Sequence, residues 1–231
     1  VPALRRIVVR APDAELDPVA GLDVLGVGAL HAHSRDAITD VPDPQWTDPS
    51  TIAFTSGTTG RSKGAVLSQN YLCTFAELES AIWYRSPDDA FYSCGPLFHL
   101  AAKGIAVLGA IYRGVRCVQD ERFSVSRFWG RIREEGCNAT LMLGSVAMLL
   151  WTREPAPDEG VDTVVGVPMP PPSLQEAMAE RWQCRFEGVY GLSEAAPLTS
   201  SGPSVPLRPG SSGKVLTDFF DVRIVRDDDH E

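Results

Sequence analysis

The sequence predicts an α/β protein built on a mostly parallel sheet that is flanked by helices. Short β-branched runs alternate with amphipathic helical stretches along the 231 residues, and this repeating order is typical of parallel sheets. Apolar residues make up 44% of the chain, which is enough to bury a substantial hydrophobic core.

The first fifty residues predict few regular elements. Arg5–Val9 (RRIVV) is a β-branched run and is expected to form a strand. Residues 11–49 are rich in Pro, Asp and Gly and are interpreted mostly as a connecting loop, with a short strand near Asp23–Val27. We therefore treat residues 1–50 as a strand plus connecting loop and residues 51–231 as the α/β core.

The core alternates strands and helices in order. Thr51–Thr55 is an apolar strand, and Ser68 is expected to cap a helix that continues to about Tyr84. Ser124 is expected to cap a second helix with one apolar face, formed by Val125, Phe128, Trp129 and Ile132. The remaining predicted helices are Leu100–Tyr112, Ser145–Arg153 and Ser173–Trp182. The remaining predicted strands are Ala90–Cys94, Val115–Gln119, Ala139–Leu143, Thr163–Val167, Cys184–Tyr190 and Asp221–Val225.

Parallel sheets bind their ligands in the loops that follow the carboxyl ends of strands. The loops after Thr55, Cys94, Val167 and Tyr190 are therefore the places where we expect functional residues.

Charge and composition limit the classes of partner. The formal net charge is −9 and the isoelectric point is about 5.0, which argues against general binding to nucleic acid or anionic membranes. We find no run of about 18 apolar residues and no signal-peptide core, so no transmembrane segment is expected. Five scattered cysteines without a CxxC pair predict reduced, buried thiols in a cytoplasmic protein: Cys73, Cys94, Cys117, Cys137 and Cys184.

A glycine-rich stretch, TSGTTGRSKG, follows the strand that ends at Thr55. Backbone N–H groups in such a turn converge on a concavity that cradles phosphate oxygens, and Lys63 adds a mobile positive charge. The Walker pattern fails, because Lys63 lies three residues after Gly60 and is followed by Gly64. The alternative, a plain Ser/Gly linker, is uncommon between an apolar strand and a capped helix. Further donors are the hydroxyls of Thr55, Ser56, Thr58 and Thr59.

TSGTTGRSKG resembles the phosphate-loop motif of the adenylate-forming superfamily, which includes acyl- and aryl-CoA synthetases, nonribosomal adenylation domains and beetle luciferases. The superfamily has Pro where this chain has Ser62. YGLSE at Tyr190–Glu194 resembles a second motif of the superfamily, with Ser193 in place of Thr. PLFHLAAKG (Pro96–Gly104) resembles its acyl-pocket segment, and VVGVPMPPP (Val164–Pro172) its adenosine-contacting segment.

The resemblance extends over nearly the whole chain from Thr51 onward and implies roles for the matching residues. It assigns ATP phosphates to the loop residues Ser56, Gly57, Thr58, Thr59, Gly60 and Lys63. Lys63 and Glu194 are the implied catalytic residues, and Thr55 with Glu194 would hold Mg²⁺, which prefers oxygen ligands.

The adenosine and acyl contacts follow from the same resemblance. Tyr190 would stack on adenine, and Ser193 would contact the α-phosphate. His99 and Gly191 would line the acyl pocket. The backbone of three consecutive residues would line the adenosine: Gly166, Val167 and Pro168.

The implied activity is that of an ATP-dependent acid–thiol ligase. A carboxylic acid reacts with Mg-ATP to give acyl-AMP and pyrophosphate, and a thiol, normally coenzyme A, then takes the acyl group. Nonribosomal adenylation domains carry, in the segment that matches Pro96–Gly104, an Asp that pairs with the ammonium group of an amino-acid substrate. No acidic residue lies between Pro96 and Gly109 in this chain, so an amino-acid substrate is disfavoured. Phe123–Leu143 is similar to the crotonobetaine/carnitine-CoA ligase group, although a fatty-acyl or aryl-CoA ligase fits equally well.

Superfamily members are much longer than 231 residues, and the Thr-Gly-Asp motif and the C-terminal lysine domain have no match here. We therefore expect a part of the N-terminal domain that is inactive by itself, with exposed apolar surface that favours a homodimer. The alternative from another class is a degenerate ATP- or AMP-binding protein without ligase activity. An unrelated kinase or ATPase is disfavoured by the failed Walker spacing.

Overall fold

The computed structural model describes residues 6–9, 23–26, 43–55, 62–84, 86–153, 161–166, 168–202, 205 and 208–226. The chain forms two compact units, Val1–Asp43 and Pro44–Glu231, so the division falls slightly before the one drawn from the sequence. In the first unit, β1 (Arg6–Val9) pairs in parallel with β2 (Asp23–Gly26). Both of these strands were predicted.

The second unit begins with an antiparallel hairpin of β3 (Pro49–Thr55) and β4 (Lys63–Ser68). The strand β3 was predicted, whereas the sequence analysis placed no strand between the glycine loop and the first helix. β4 owes its form to pairing with β3, a nonlocal interaction that the six residues KGAVLS do not reveal by themselves.

A seven-stranded sheet forms the centre of this unit, with strand order β11-β10-β9-β8-β7-β5-β6. The strands β5 to β9 pair in parallel and confirm the predicted mostly parallel sheet. The strands β10 and β11 extend one side of the sheet by antiparallel pairing and were not predicted. The strands are β5 (Ala90–Ser93), β6 (Arg116–Gln119), β7 (Ala139–Met142), β8 (Thr163–Gly166), β9 (Arg185–Leu192), β10 (Ala195–Ser200) and β11 (Lys214–Val215).

The helices confirm most of the predicted pattern. Ser68 caps the first helix as expected, because its Oγ accepts a hydrogen bond of 3.1 Å from the backbone N–H of Tyr71. The predicted helix over Leu100–Tyr112 is helical, but its middle is a π-helix (Ala102–Leu108). The α-helices are α1 (Gln69–Trp83), α2 (Gly109–Arg113), α3 (Phe128–Glu134), α4 (Gly144–Arg153) and α5 (Pro172–Trp182).

Two sequence predictions were wrong. Ser124 does not cap a helix: it begins a turn in which the N–H of Arg127 donates to the Ser124 carbonyl at 3.2 Å, and α3 starts only at Phe128. Asp221–Val225 is not a strand, because none of the described residues pairs with it and its Ile224 side chain is fully exposed. A β-branched run needs a partner before it becomes a strand.

The sheet is covered on both faces by apolar side chains that alternate along its strands. One layer includes Phe91, Leu141 and Val165 of the sheet, packed with α1 and the π-helix. The opposite layer includes Tyr92, Met142 and Val164, and its helices contribute Phe128, Trp129, Leu150, Met178 and Trp182. This two-sided burial is the reason that every residue of the central strands β5, β7 and β8 is buried.

Within the part of the chain that the structure describes, no helix has both the length and the apolar character needed to cross a membrane.

Candidate active site

The two ends of the glycine-rich stretch lie side by side in the hairpin. Thr55 is the last residue of β3 and stands opposite Lys63, the first residue of β4. The Oγ1 of Thr55 donates to the Lys63 carbonyl at 3.4 Å, which leaves both oxygen lone pairs of the hydroxyl available to a ligand. The Lys63 side chain is exposed. The predicted phosphate-binding residues Ser56, Gly57, Thr58, Thr59 and Gly60 lie outside the described residues.

The YGLSE motif forms the end of β9 and the tight turn into β10. Tyr190 and Gly191 belong to β9, and Ser193 and Glu194 make the turn. The Tyr190 ring is half-exposed and Glu194 is exposed, so both side chains are accessible to a ligand. The Tyr71 hydroxyl donates to the Ser193 carbonyl at 3.1 Å, which ties this turn to α1.

A cavity of about 140 Å³ lies beside this turn, and we call it the inner cavity. Gly191 and Ser193 line it on one side and His99 on another, so residues from two separate sequence motifs meet there. Further lining comes from Phe75 and Glu79 of α1 and from Ile105 of the π-helix.

His99 is held in place by its own backbone surroundings. Its Nδ1 accepts a hydrogen bond from the backbone N–H of Ala101 at 3.2 Å, so a neutral His99 carries its proton on Nε2. Because the imidazole is exposed, this Nε2–H group is accessible from the cavities that His99 lines.

Glu79 is the residue of this cavity that the sequence analysis missed. Its side chain is fully buried, and the Trp83 indole N–H donates to its Oε2. Burial raises the pKa of Glu79 to about 8, against a smaller lowering by the Trp83 hydrogen bond. The helical periodicity of the sequence could have identified Glu79 as buried, because it lies four residues after Phe75 and four before Trp83 on the apolar face of α1.

Phe75 lines both the inner cavity and a second, outer cleft of about 500 Å³. Side-chain oxygen atoms in this cleft come from two carboxylates, from one amide and from three hydroxyls: Glu194, Asp218, Asn70, Ser68, Tyr71 and Thr74. Oxygen atoms of this kind suit Mg²⁺, although no group of three or more His, Cys, Asp or Glu side chains gathers around one point within the described ranges.

An apolar cavity of about 170 Å³ marks the point where the strand order reverses, and we call it the switch cavity. The strand β5 has β6 on one side and β7 on the other, and ligands of open α/β sheets bind at such points. Cys94, His99, Phe123 and Leu141 contribute to its lining, so His99 lies between two cavities.

Cys94, the cysteine that lines the switch cavity, is not activated as a nucleophile. Burial raises the pKa of the Cys94 thiol to about 11, so this thiol remains protonated at neutral pH. All five cysteines are free thiols, as expected, but Cys73 is exposed and only Cys137 is fully buried.

The predicted adenosine segment is only partly accessible. Gly166 ends β8 and is buried, with the Met169 sulfur 2.5 Å from the position that a Cβ at Gly166 would occupy. Pro168 is exposed, and Val167 lies outside the described residues. Gly144 and Gly188 also approach the 168–169 segment closely, so three glycines make room for one methionine.

The family of AMP-binding enzymes matches this chain over residues 7–231. The chain belongs to this AMP-binding enzyme family. Its fold agrees with a solved structure of a malonyl-CoA ligase bound to methylmalonyl-CoA and AMP, which is 26% identical with a TM-score of 0.71. That match covers 88% of this chain and 45% of the ligase.

Two curated relatives of this AMP-binding enzyme illustrate the range of the family. Long-chain fatty acid transport protein 5 of Mus musculus is 32% identical over 154 residues, which cover 64% of this chain and 21% of the relative. Crotonobetaine/carnitine–CoA ligase of Salmonella arizonae is 30% identical over 170 residues, covering 71% of this chain and 32% of the ligase. The chain thus spans about a fifth to a third of the length of these relatives.

Proposed function

We propose that this chain provides the acid- and nucleotide-binding part of an ATP-dependent acyl-CoA ligase. The protein would join a carboxylic acid to ATP, giving acyl-AMP and pyrophosphate, and the thiol of coenzyme A would then take the acyl group and release AMP. The observation that carries the proposal is the meeting of His99 with Gly191 and Ser193 around one cavity, next to the cleft that contains Glu194.

The turn between β9 and β10 would align the two reactants. Gly191 and Ser193 border the inner cavity, where the acid would lie, whereas Glu194 borders the outer cleft on the phosphate side. An acid held in the inner cavity could present its carboxylate to the α-phosphorus of ATP. Such alignment of two bound reactants is itself a large source of rate acceleration.

The charge of the phosphates would be stabilised by groups from both segments. Lys63 would approach the phosphates from the hairpin, and the glycine loop Ser56–Gly60 would surround them with N–H groups. Glu194 and Thr55 would hold Mg²⁺, which neutralises charge on the departing pyrophosphate. Tyr190 would stack on adenine, and the backbone of Gly166, Val167 and Pro168 would line the adenosine.

The acyl half of the site would use His99 and Gly191. No protein nucleophile is required, because the carboxylate itself attacks phosphorus and the thiol of coenzyme A attacks the acyl carbon. The protonated Cys94 thiol fits this scheme. A cytoplasmic location and a homodimer remain predictions from the sequence.

Acid-dependent exchange of pyrophosphate into ATP tests the proposal. The protein expressed from its complete reading frame should catalyse exchange with at least one acid of a short, branched, aromatic and betaine-type panel. Lys63→Ala and Glu194→Ala should each reduce exchange by about 100-fold or more, because each removes a charged group that stabilises the transition state. Glu176→Ala, an exposed acid on α5, is the matched control and should leave exchange unchanged.

Two results would count against the ligase function. The first is Mg-ATP binding without exchange for any acid, which would favour a nucleotide-binding protein without ligase activity. The second is exchange that persists in both Lys63→Ala and Glu194→Ala.

A further inference from the structure

The inner cavity contains a buried acidic side chain that the reaction described above does not use. Glu79 lies on the face of α1 that packs against the sheet, and none of its surface is exposed to solvent. Ionisable side chains are almost never buried in this way without partners. Among the described residues that line the cavity, only Glu79 and His99 ionise.

The two oxygen atoms of the Glu79 carboxyl have different surroundings. Oε2 accepts a hydrogen bond from the Trp83 indole N–H, whereas Oε1 has no hydrogen-bond partner among the described residues. A buried polar atom without a partner is costly, and such atoms are rare in folded proteins. Glu79 borders the cavity, but Oε1 has no surface open to a water-sized probe in this structure, so a ligand could supply the partner that Oε1 lacks only if the carboxyl turns toward the cavity on binding.

The chemistry of this carboxyl restricts what the partner can be. With a pKa raised to about 8 by burial, the group is mostly protonated at pH 7 and offers both an O–H donor and a carbonyl acceptor. A hydroxyl group also donates and accepts, so it can pair with either arrangement. A quaternary ammonium group has no N–H donor. A primary ammonium group can donate to the carboxyl but cannot accept from its O–H, and it brings an unpaired charge into a buried site.

The volume of the cavity restricts the length of the acid. An engineered apolar cavity of about 150 Å³ in another protein binds benzene, which has about six non-hydrogen atoms. The inner cavity measures about 140 Å³ and so accommodates a tail of similar size. Phe75, Ile105 and Val189 provide apolar surface for the carbon atoms of this tail.

We propose that the inner cavity selects a short carboxylic acid whose tail carries a hydroxyl group, held by Oε1 of Glu79. This inference rests on the proposed ligase function, in which the inner cavity holds the acyl group. Glu79 is then a specificity-determining residue, whereas His99 and Gly191 would contact the acid whatever its tail.

A matched set of acids tests the proposal by ATP–pyrophosphate exchange in the protein expressed from its complete reading frame. The acids are 6-hydroxyhexanoate, heptanoate, 6-aminohexanoate and 6-(trimethylammonio)hexanoate, the first three of which have tails of equal length. We expect kcat/KM for 6-hydroxyhexanoate to exceed that for heptanoate by about 10- to 100-fold, the effect of leaving one buried polar atom unpaired.

Variants of Glu79 identify the residue responsible. Glu79→Leu should lower the ratio of hydroxy acid to heptanoate to about one or less, whereas Glu79→Gln should keep most of the preference, because an amide also donates and accepts. Glu77→Leu is the matched control, since Glu77 is exposed on the same helix, and it should leave the ratio unchanged.

Calorimetric binding of the four acids separates failure of this inference from failure of the ligase function. If no acid supports exchange but 6-hydroxyhexanoate binds about 10-fold more tightly than heptanoate, and Glu79→Leu abolishes the difference, the selectivity stands without the reaction. A preference of the unaltered protein for heptanoate, or for either cationic acid, would overturn the proposed selectivity for a hydroxy acid. The same ratio in Glu79→Leu as in the unaltered protein would also overturn it.

Discussion

Glu79 makes the stability of the folded chain depend on pH at the scale of a single residue. Burial raises the pKa of its carboxyl from 4.5 to about 8, so the folded state retains a proton that the unfolded state releases within this range. Stability therefore falls as pH rises from about 4.5 to 8, by at most about 1.4 kcal/mol per pH unit.

The variant Glu79→Gln should not show this loss. It retains an acceptor for the Trp83 indole N–H but cannot ionise, so its free energy of unfolding relative to the unaltered protein should increase from pH 5 to pH 8. Urea unfolding at four pH values in this range measures the difference between the two proteins. A difference that is the same at every pH would show that Glu79 titrates normally in the folded protein.

At the scale of secondary-structure elements, the contact between α1 and the π-helix depends on one glycine. A Cβ built on Gly104 would lie only 1.8 Å from Cε1 of Phe75, far closer than any real contact. The Phe75 ring would have to move, and this ring lines both the inner cavity and the outer cleft. The absence of a side chain at position 104 thus helps to keep the inner cavity open.

Gly104→Ala should therefore destabilise the protein by about 1–3 kcal/mol through overpacking. Gly130→Ala is the matched control: Gly130 lies within α3, and a Cβ there would meet no atom within 4 Å. The Gly130→Ala substitution should stabilise α3 by roughly 0.5–1 kcal/mol. Thermal or urea unfolding measures both variants, and equal effects of the same sign would refute the role assigned to Gly104.

The sequence predicted elements where local pattern determines them. Ser68 was identified as a helix cap from its position before an apolar-periodic run, and the aromatic run around Phe91 and the β-branched run around Val164 were identified as strands. Prediction failed where a strand depends on pairing with a neighbouring strand rather than on its own residue pattern. β4 and β10 form because β3 and β9 lie beside them, and Asp221–Val225 stays irregular because no described strand does.

At the scale of the whole molecule, the sheet brings together segments that are far apart in sequence. The motif at Tyr190–Glu194 and His99 were both noted from the sequence by their resemblance to family motifs. Their meeting around one cavity follows from the strand order, which no local pattern encodes. Glu79 escaped notice because a single acid on an apolar helix face becomes visible as a site residue only once the cavity beside it is known.

In the proposed function, the β9–β10 turn separates an acyl cavity from a phosphate cleft. A crystal structure of the complete protein with a non-hydrolysable acyl-sulfamoyl adenosine, which mimics acyl-AMP, tests this claim most directly. We predict that the acyl chain lies in the inner cavity between Phe75 and Gly191, with the adenine against Tyr190. An acyl chain bound in the switch cavity, or outside both cavities, would contradict the account.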